Sequence, residues 1–282
     1  MNDEVLAHAR HQVLALLPHR AADLARLSLL IDDPPPPTVT VVGKYNHGKS
    51  RLLNELLGRE AFAVADRRQT VALSEQMHAG VSWLDAPGLD ADVASGDDRH
   101  AWDAVWLRSD IRLFVHAAKE GELDAGECAL LEELCRDAAR TGRQTLLVIS
   151  QVDQLAGEAE LDKVMAAIAG QAQGLVPHPV SATRHHQGVE GGKRLLLEAS
   201  GIPYLKSQLD RTASRVPVAR AGEARWLLGE VRVELERLLA TRRDALESLR
   251  HKRQRRREVF DDGLRDVLAK VGGDLEETQA CG

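Results

Sequence analysis

The stretch from Thr38 to Leu57 constrains the fold more than any other part of the chain. Thr38-Val39-Thr40-Val41-Val42 is a short β-branched run, the pattern of a strand buried on both faces. Arg51-Leu52-Leu53-Asn54-Glu55-Leu56-Leu57 reads as a helix. Between them, Gly43-Lys44-Tyr45-Asn46-His47-Gly48-Lys49-Ser50 fits G-x-x-x-x-G-K-[ST] at every fixed position. A glycine turn lets backbone N–H groups wrap a phosphate, and the helix N-terminus behind it adds the positive end of its dipole. Strand, loop and helix in this order belong to an α/β layer.

The pattern continues downstream. Buried-strand runs recur at Val81–Asp85, Ile111–Val115 and Thr145–Ser150, with a weaker one ending at Ser181. Helical patterns lie between them at Lys49–Leu57 and at about 100–108, 124–140 and 158–173. Alternation of this kind predicts an α/β fold with a doubly wound, mostly parallel sheet. Composition agrees, because 44% of residues are apolar and only 3% aromatic, so the packing residues are mostly Leu, Ala and Val, which argues against an all-β chain.

Four consecutive prolines, Pro34 to Pro37, form a stiff spacer that no helix crosses. Before it, residues 1–33 carry a helical stripe of Leu6, Val13, Leu17, Leu24, Leu27 and Ile31, interrupted at Pro18. After Ser214 the strand signals stop. Leu228, Val231, Leu235, Leu238, Ala245 and Leu249, then Phe260, Leu264, Val267, Val271 and Leu275, predict one long helix or a helical hairpin. The expected division is a helical segment 1–33, an α/β domain 38–214 and a helical segment 215–282. Each terminal segment has an apolar face without a core, so the two are expected to pack together as an appended α-helical bundle.

The chemistry concentrates at the ends of the strands. Lys49 is expected to reach the β- and γ-phosphate oxygens, and Ser50 to coordinate Mg²⁺, within a phosphate-binding set of Gly43, Tyr45, Asn46, His47, Gly48, Lys49, Ser50 and Arg51. Asp85-Ala86-Pro87-Gly88 is a D-x-x-G match that places a carboxylate near the metal and the Gly88 N–H near the γ-phosphate. Ser150-Gln151-Val152-Asp153 stands where guanine-binding proteins carry [NT]-K-x-D. Asp153 can accept both N–H groups of the guanine Watson–Crick edge, a pairing adenine does not offer. Gln151 in place of Lys removes a long stem from beside the base. Ser181-Ala182-Thr183 is similar to the loop whose backbone N–H groups face the guanine O6.

The order of these four motifs, from Thr38 to Leu209, resembles the translation-factor-related P-loop GTPases, and within them the Era-like and bacterial dynamin-like families. The resemblance implies a Mg²⁺-dependent GTPase in which Thr70, the only threonine between Ser50 and Asp85, joins Ser50 and Asp85 around the metal. It implies a catalytic set of Lys49, Asn46, Thr70 and Gly88. Leu89 stands where Ras-like proteins carry the water-positioning Gln, so intrinsic turnover is expected to be slow. Asn46 occupies the position that binds K⁺ in several Era-like enzymes, which implies K⁺-stimulated hydrolysis in a nucleotide-dependent homodimer or with a related GTPase. Arg67 and Arg68 are candidate charge stabilisers.

Outside the α/β region, Arg250, Lys252, Arg253, Arg255, Arg256 and Arg257 form a basic run that suits a membrane surface or RNA. The formal net charge of -6 argues against a polycation, and no DNA partner is expected. Cys128, Cys135 and Cys281 have no disulfide or metal spacing, and no signal peptide is read at the N-terminus. A cytoplasmic protein, peripheral at a membrane in one version, is the expectation. His185 and His186 are read in a polar loop with nothing to complete a metal set, and Trp83, Trp102, Trp106 and Trp226 as packing anchors. Three functions remain open: a dynamin-like switch that moves its helical bundle, an Era-like GTPase acting on RNA or the ribosome, and a nucleotide-binding scaffold with little hydrolysis.

Overall fold

The computed structural model describes residues 3–31, 35–63, 74–85 and 103–280. Two compact units follow one another, Met1–Leu228 and Gly229–Gly282.

The first unit is built on a six-stranded sheet: β1 (Thr38–Val42), β2 (Ser74–His78), β3 (Val81–Asp85), β4 (Ile111–Ala117), β5 (Gln144–Ser150) and β6 (Pro177–Pro179). Their order is β2-β3-β1-β4-β5-β6, with β2 antiparallel to β3 and the other pairs parallel. Helices α1 (Asp3–Leu16) and α2 (Ala21–Ile31) precede the sheet, separated by a 3-10 turn at Pro18–Arg20 where the proline breaks the helical pattern. α3 (Lys49–Leu57), α4 (Ala125–Thr141), α5 (Glu158–Gln171), α6 (Ala182–Glu190), α7 (Arg194–Ala199) and α8 (Ile202–Ala213) follow within the domain. α9 runs from Val216 to Ala280, one long helix rather than a hairpin.

Strand periodicity sorts the core into two layers. Val39, Val41, Ile111, Leu113 and Val115 face Leu52, Leu53 and Leu56 of α3 and Leu205 of α8. Val42, Phe114, Leu147 and Ile149 point the other way, onto Leu131 and Leu134 of α4 and Ile168 of α5. Such fully buried side chains stabilise the fold by roughly 1.5–3 kcal/mol each. β4 is buried at every position, yet its α4-facing side also carries Arg112 and His116.

β2 was not expected from the sequence. Ser-Glu-Gln-Met-His lacks an apolar run because an edge strand buries one face only, and its residues alternate between half-buried and exposed. The expected helix near 100–108 is a π-helical turn at Asp103–Arg108.

Beneath the sheet, at the amino ends of β1 and β4, lies a buried ionic network. Asp110 accepts from Arg26 Nη2 (3.0 Å), Arg220 Nε (2.9 Å) and the Thr38 backbone N–H (2.8 Å). Glu223 of α9 accepts from Arg26 Nη2 (2.9 Å) and Arg143 Nε (2.9 Å). Burial alone would raise the Asp110 pKa, but Arg220 and Arg26 hold it below its ordinary value.

In the second unit, α9 leaves Leu239, Leu246, Leu249, Phe260, Val267 and Val271 exposed. Arg250 to Arg257 are exposed on the same stretch. Among the described residues no helix is long and apolar enough to cross a membrane.

Candidate functional site

The phosphate loop owes its shape to two glycines. Gly43 has φ +149°, and a Cβ there would stand 2.2 Å from the Val115 carbonyl oxygen, so no side chain fits. Gly48 caps α3 with φ +78°. Asn46, between them, also has positive φ (60°), which asparagine tolerates better than most residues.

Lys49, buried at the start of α3, folds over the loop and donates to the carbonyls of Gly43 (2.9 Å) and Lys44 (2.7 Å). Ser50 Oγ donates to Asp85 Oδ2 at 2.6 Å, because parallel pairing of β1 with β3 sets Val41 opposite Asp85 and brings the two strand ends side by side. Asp85 is buried, and its Oδ1 has no hydrogen-bond partner among the described residues. Burial pushes its carboxyl pKa up, opposed by the Ser50 hydrogen bond and the Lys49 charge. An orphaned carboxylate oxygen beside a hydroxyl is an all-oxygen donor set, which fits a hard cation such as Mg²⁺.

A pocket opens beside the loop, lined by Gly48, Arg51, Ser150, Gln151, Asp153, Ala182 and Thr183. Gln151, at φ 58°, donates from Nε2 to the Asn46 carbonyl at 2.7 Å, so the residue that replaces a lysine stem instead ties the strand end to the phosphate loop. Ser150 does the same, its Oγ donating to the His47 carbonyl at 2.6 Å. Ser181 Oγ donates to Asp153 Oδ1 at 2.6 Å and accepts from the Arg184 N–H, capping α6. Ala182 and Thr183 thereby become the first turn of a helix, whose free N–H groups lie at the pocket.

The structure thus brings Gly48, Lys49, Ser50, Arg51, Asp85, Gln151, Asp153, Ser181, Ala182 and Thr183 to one edge of the sheet, with Tyr45, Asn46 and His47 in the loop above it. Thr70, Gly88, Leu89, Arg67, Arg68, Trp102 and Cys281 lie outside the described residues. His185 and His186 are not in a loop, as read from their polar surroundings, but on α6. There Glu55 of α3 meets them at 2.5 Å and 3.3 Å, a contact hidden in the sequence by their 130-residue separation.

Sequence reasoning missed the groups behind the phosphate loop. His47 turns inward, its Nδ1 3.2 Å from the Val115 carbonyl, and its ring meets that of His116 edge-on at 5.2 Å. His116 Nδ1 lies 2.8 Å from Glu127 Oε1 and its Nε2 3.2 Å from the Gly121 carbonyl. Burial lowers the His47 pKa, and the His116 hydrogen bond holds Glu127 below its ordinary value against the cost of burial. Lys44 contacts Asp124, the N-cap of α4, and this hydrogen bond raises the lysine pKa. His116, which with Arg112 interrupts the otherwise apolar run Ile111–Ala117, was the available signal.

The loop, the carboxylate at the end of β3 and the pocket at the ends of β5 and β6 define a P-loop G domain. Residues 38–151 match the family described as 50S ribosome-binding GTPase. An uncharacterized protein of Acinetobacter baylyi is 48% identical over 276 residues, 98% of this chain and 66% of the relative. GTPase Der of Desulforudis audaxviator is 30% identical over 80% of this chain and 52% of its own length. The chain spans between about half and two thirds of these two relatives. In fold, it is similar over 96% of its length to a chain of an oligomerised bacterial dynamin pair, with a TM-score of 0.53 and 14% identity.

Proposed function

We propose that the protein binds guanine nucleotide with Mg²⁺ and hydrolyses GTP to GDP and phosphate. The observation that carries this reading is the joining of two half-sites. Gln151 and Ser150 bond directly to the backbone of the phosphate loop, so the pocket beside Asp153 and the Ser50–Asp85 pair share one wall. Lys49 releases the Gly43 and Lys44 carbonyls to meet the β- and γ-phosphates. Ser50 and Asp85 would hold the Mg²⁺, and Asp153 would accept from the base. Bound Mg²⁺ neutralises charge on the phosphate oxygens. Thr70 and Gly88 are assigned to the γ-phosphate side by motif.

In the fuller reading, two G domains meet on GTP, Asn46 takes up K⁺, and hydrolysis moves the attached helical segments 1–33 and 215–282 of a cytoplasmic protein. Likeness in fold to the dynamin pair, along nearly the whole chain, supports this version. The exposed run Arg250–Arg257 also suits RNA, which supports an Era-like second reading. Thermal unfolding with GTP, ATP or neither tests the core proposal: GTP and Mg²⁺ should raise the melting temperature, ATP should not, and Lys49→Ala should abolish the rise. Equal rates in KCl and NaCl, flat with protein concentration, would discard the dimer mechanism. Co-sedimentation with anionic vesicles or with ribosomes separates the two versions.

A further inference from the structure

We propose that His47, His116 and Glu127 form a binding site for a borderline divalent transition-metal ion of the Zn²⁺ type, behind the phosphate loop and distinct from the Mg²⁺ position. The three residues come from three elements: the loop, the end of β4 and the first turn of α4. All are buried, at 4%, 0% and 5% exposure, and one ligand atom from each lies within 4.8 Å of the other two.

The hydrogen bonds assign the ligand atoms. A carbonyl oxygen only accepts, so the nitrogen facing it carries the proton. Val115 therefore fixes the proton of His47 on Nδ1, and Gly121 fixes that of His116 on Nε2. A metal-bound state would then use His47 Nε2 and His116 Nδ1, with His47 Nδ1 also standing 3.6 Å from Glu127 Oε1. Anchoring of the far ring nitrogen by a backbone carbonyl is the usual support of a metal-bound imidazole. His116 Nδ1 and Glu127 Oε1 already face each other at 2.8 Å.

Ring spacing agrees. With metal–nitrogen bonds of about 2.05 Å at a tetrahedral angle, two imidazole centroids stand about 5.3 Å apart. His47 and His116 stand 5.2 Å apart already, nearly perpendicular. Two imidazoles and one carboxylate match the three protein ligands of a four-coordinate zinc site, with water in the fourth position. Nitrogen donors suit a transition metal rather than Mg²⁺, which prefers an all-oxygen shell. Because His47 adjoins Gly48, the bound ion would pin the phosphate loop to α4.

Zinc titration of the full chain, followed by calorimetry in excess Mg²⁺, tests the site. One Zn²⁺ per chain is expected, with the dissociation constant raised at least about tenfold in His116→Ala and in Glu127→Gln. His185→Ala, at the Glu55 contact on α6, should bind as the parent does. Zinc-edge X-ray absorption of the unmutated protein, which needs no variant to fold, should show scattering from two imidazoles in a four-coordinate shell. No stoichiometric binding, a shell without two imidazoles, or loss of binding in His185→Ala alone would each overturn the proposal. These readouts need no nucleotide, so they stand or fall separately from the GTPase reading.

Discussion

Buried carboxylates sit at both ends of the β-sheet, and their partners differ. At the amino ends, both oxygens of Asp110, Glu223 and Asp137 are engaged: Asp110 by Arg26, Arg220 and Thr38, Glu223 by Arg26 and Arg143, Asp137 by Arg112 and Arg140. At the carboxyl ends, Asp85 keeps one buried oxygen with no partner among the described residues, as does the Gln151 amide. Both sets carry the desolvation cost of buried charge, but the arginine-paired carboxylates are balanced internally and Asp85 is not. The unused oxygen of Asp85 marks room for a ligand, and the arginine-paired carboxylates act as a structural joint.

The comparison breaks if the two ends respond alike to mutation. The largest effect belongs to Asp110→Ala, which strands Arg26 and Arg220. It should cost about 3–5 kcal/mol in urea unfolding, with or without nucleotide. Lys49→Ala should leave the nucleotide-free stability near that of the parent. It should abolish the gain of about 2.7 kcal/mol expected at a hundredfold excess of GTP over its dissociation constant. For Asp153→Ala, GTP affinity should fall by about 2 kcal/mol relative to ATP in competition binding, as for hydrogen bonds to a charged group. Asp124→Ala should lose the capping box of α4, worth about 1 kcal/mol by thermal unfolding.

The smallest effect is one of slope. Asp110 has a lowered pKa, so the unfolded chain takes up its proton first on acidification. Stability is lost as pH falls from the ordinary carboxylate value towards the folded one. Asp85 has a raised pKa, so the folded chain holds its proton longer. Its contribution is greatest below the ordinary value and is lost as pH rises through the folded one. Nucleotide-free Asp85→Asn should therefore flatten the loss on the higher-pH side. Parallel slopes in the Asp85 and Asp110 variants would refute the contrast.

Legibility in the sequence followed the range of the contacts. The phosphate loop could be read because its geometry is fixed within eight consecutive residues, and β1, β3, β4 and β5 because strands buried on both faces give short, mostly apolar runs. β2 was hidden by its half-buried pattern. Ala182 and Thr183 were read as a loop, since Ser181 as an N-cap leaves no apolar stripe to announce α6. Arg26 and Glu223 stand 197 residues apart, and only the fold pairs them. The same holds for His47 and His116, which meet because the loop after β1 runs beside the end of β4.

β6 is Pro-His-Pro, the last strand of the sheet. Val180 just beyond it donates its N–H to the Ile149 carbonyl of β5 at 2.8 Å, so His178, two residues earlier, has its N–H on that same inner side. Pro177 and Pro179 take the alternate positions, whose backbone nitrogens face outward and carry no hydrogen. A strand arriving at this border finds acceptors but no donors, so the sheet cannot be extended there by a second chain. The opposite border, along β2, carries no such pair of prolines, and its Ser74 stands opposite Asp85 of the site.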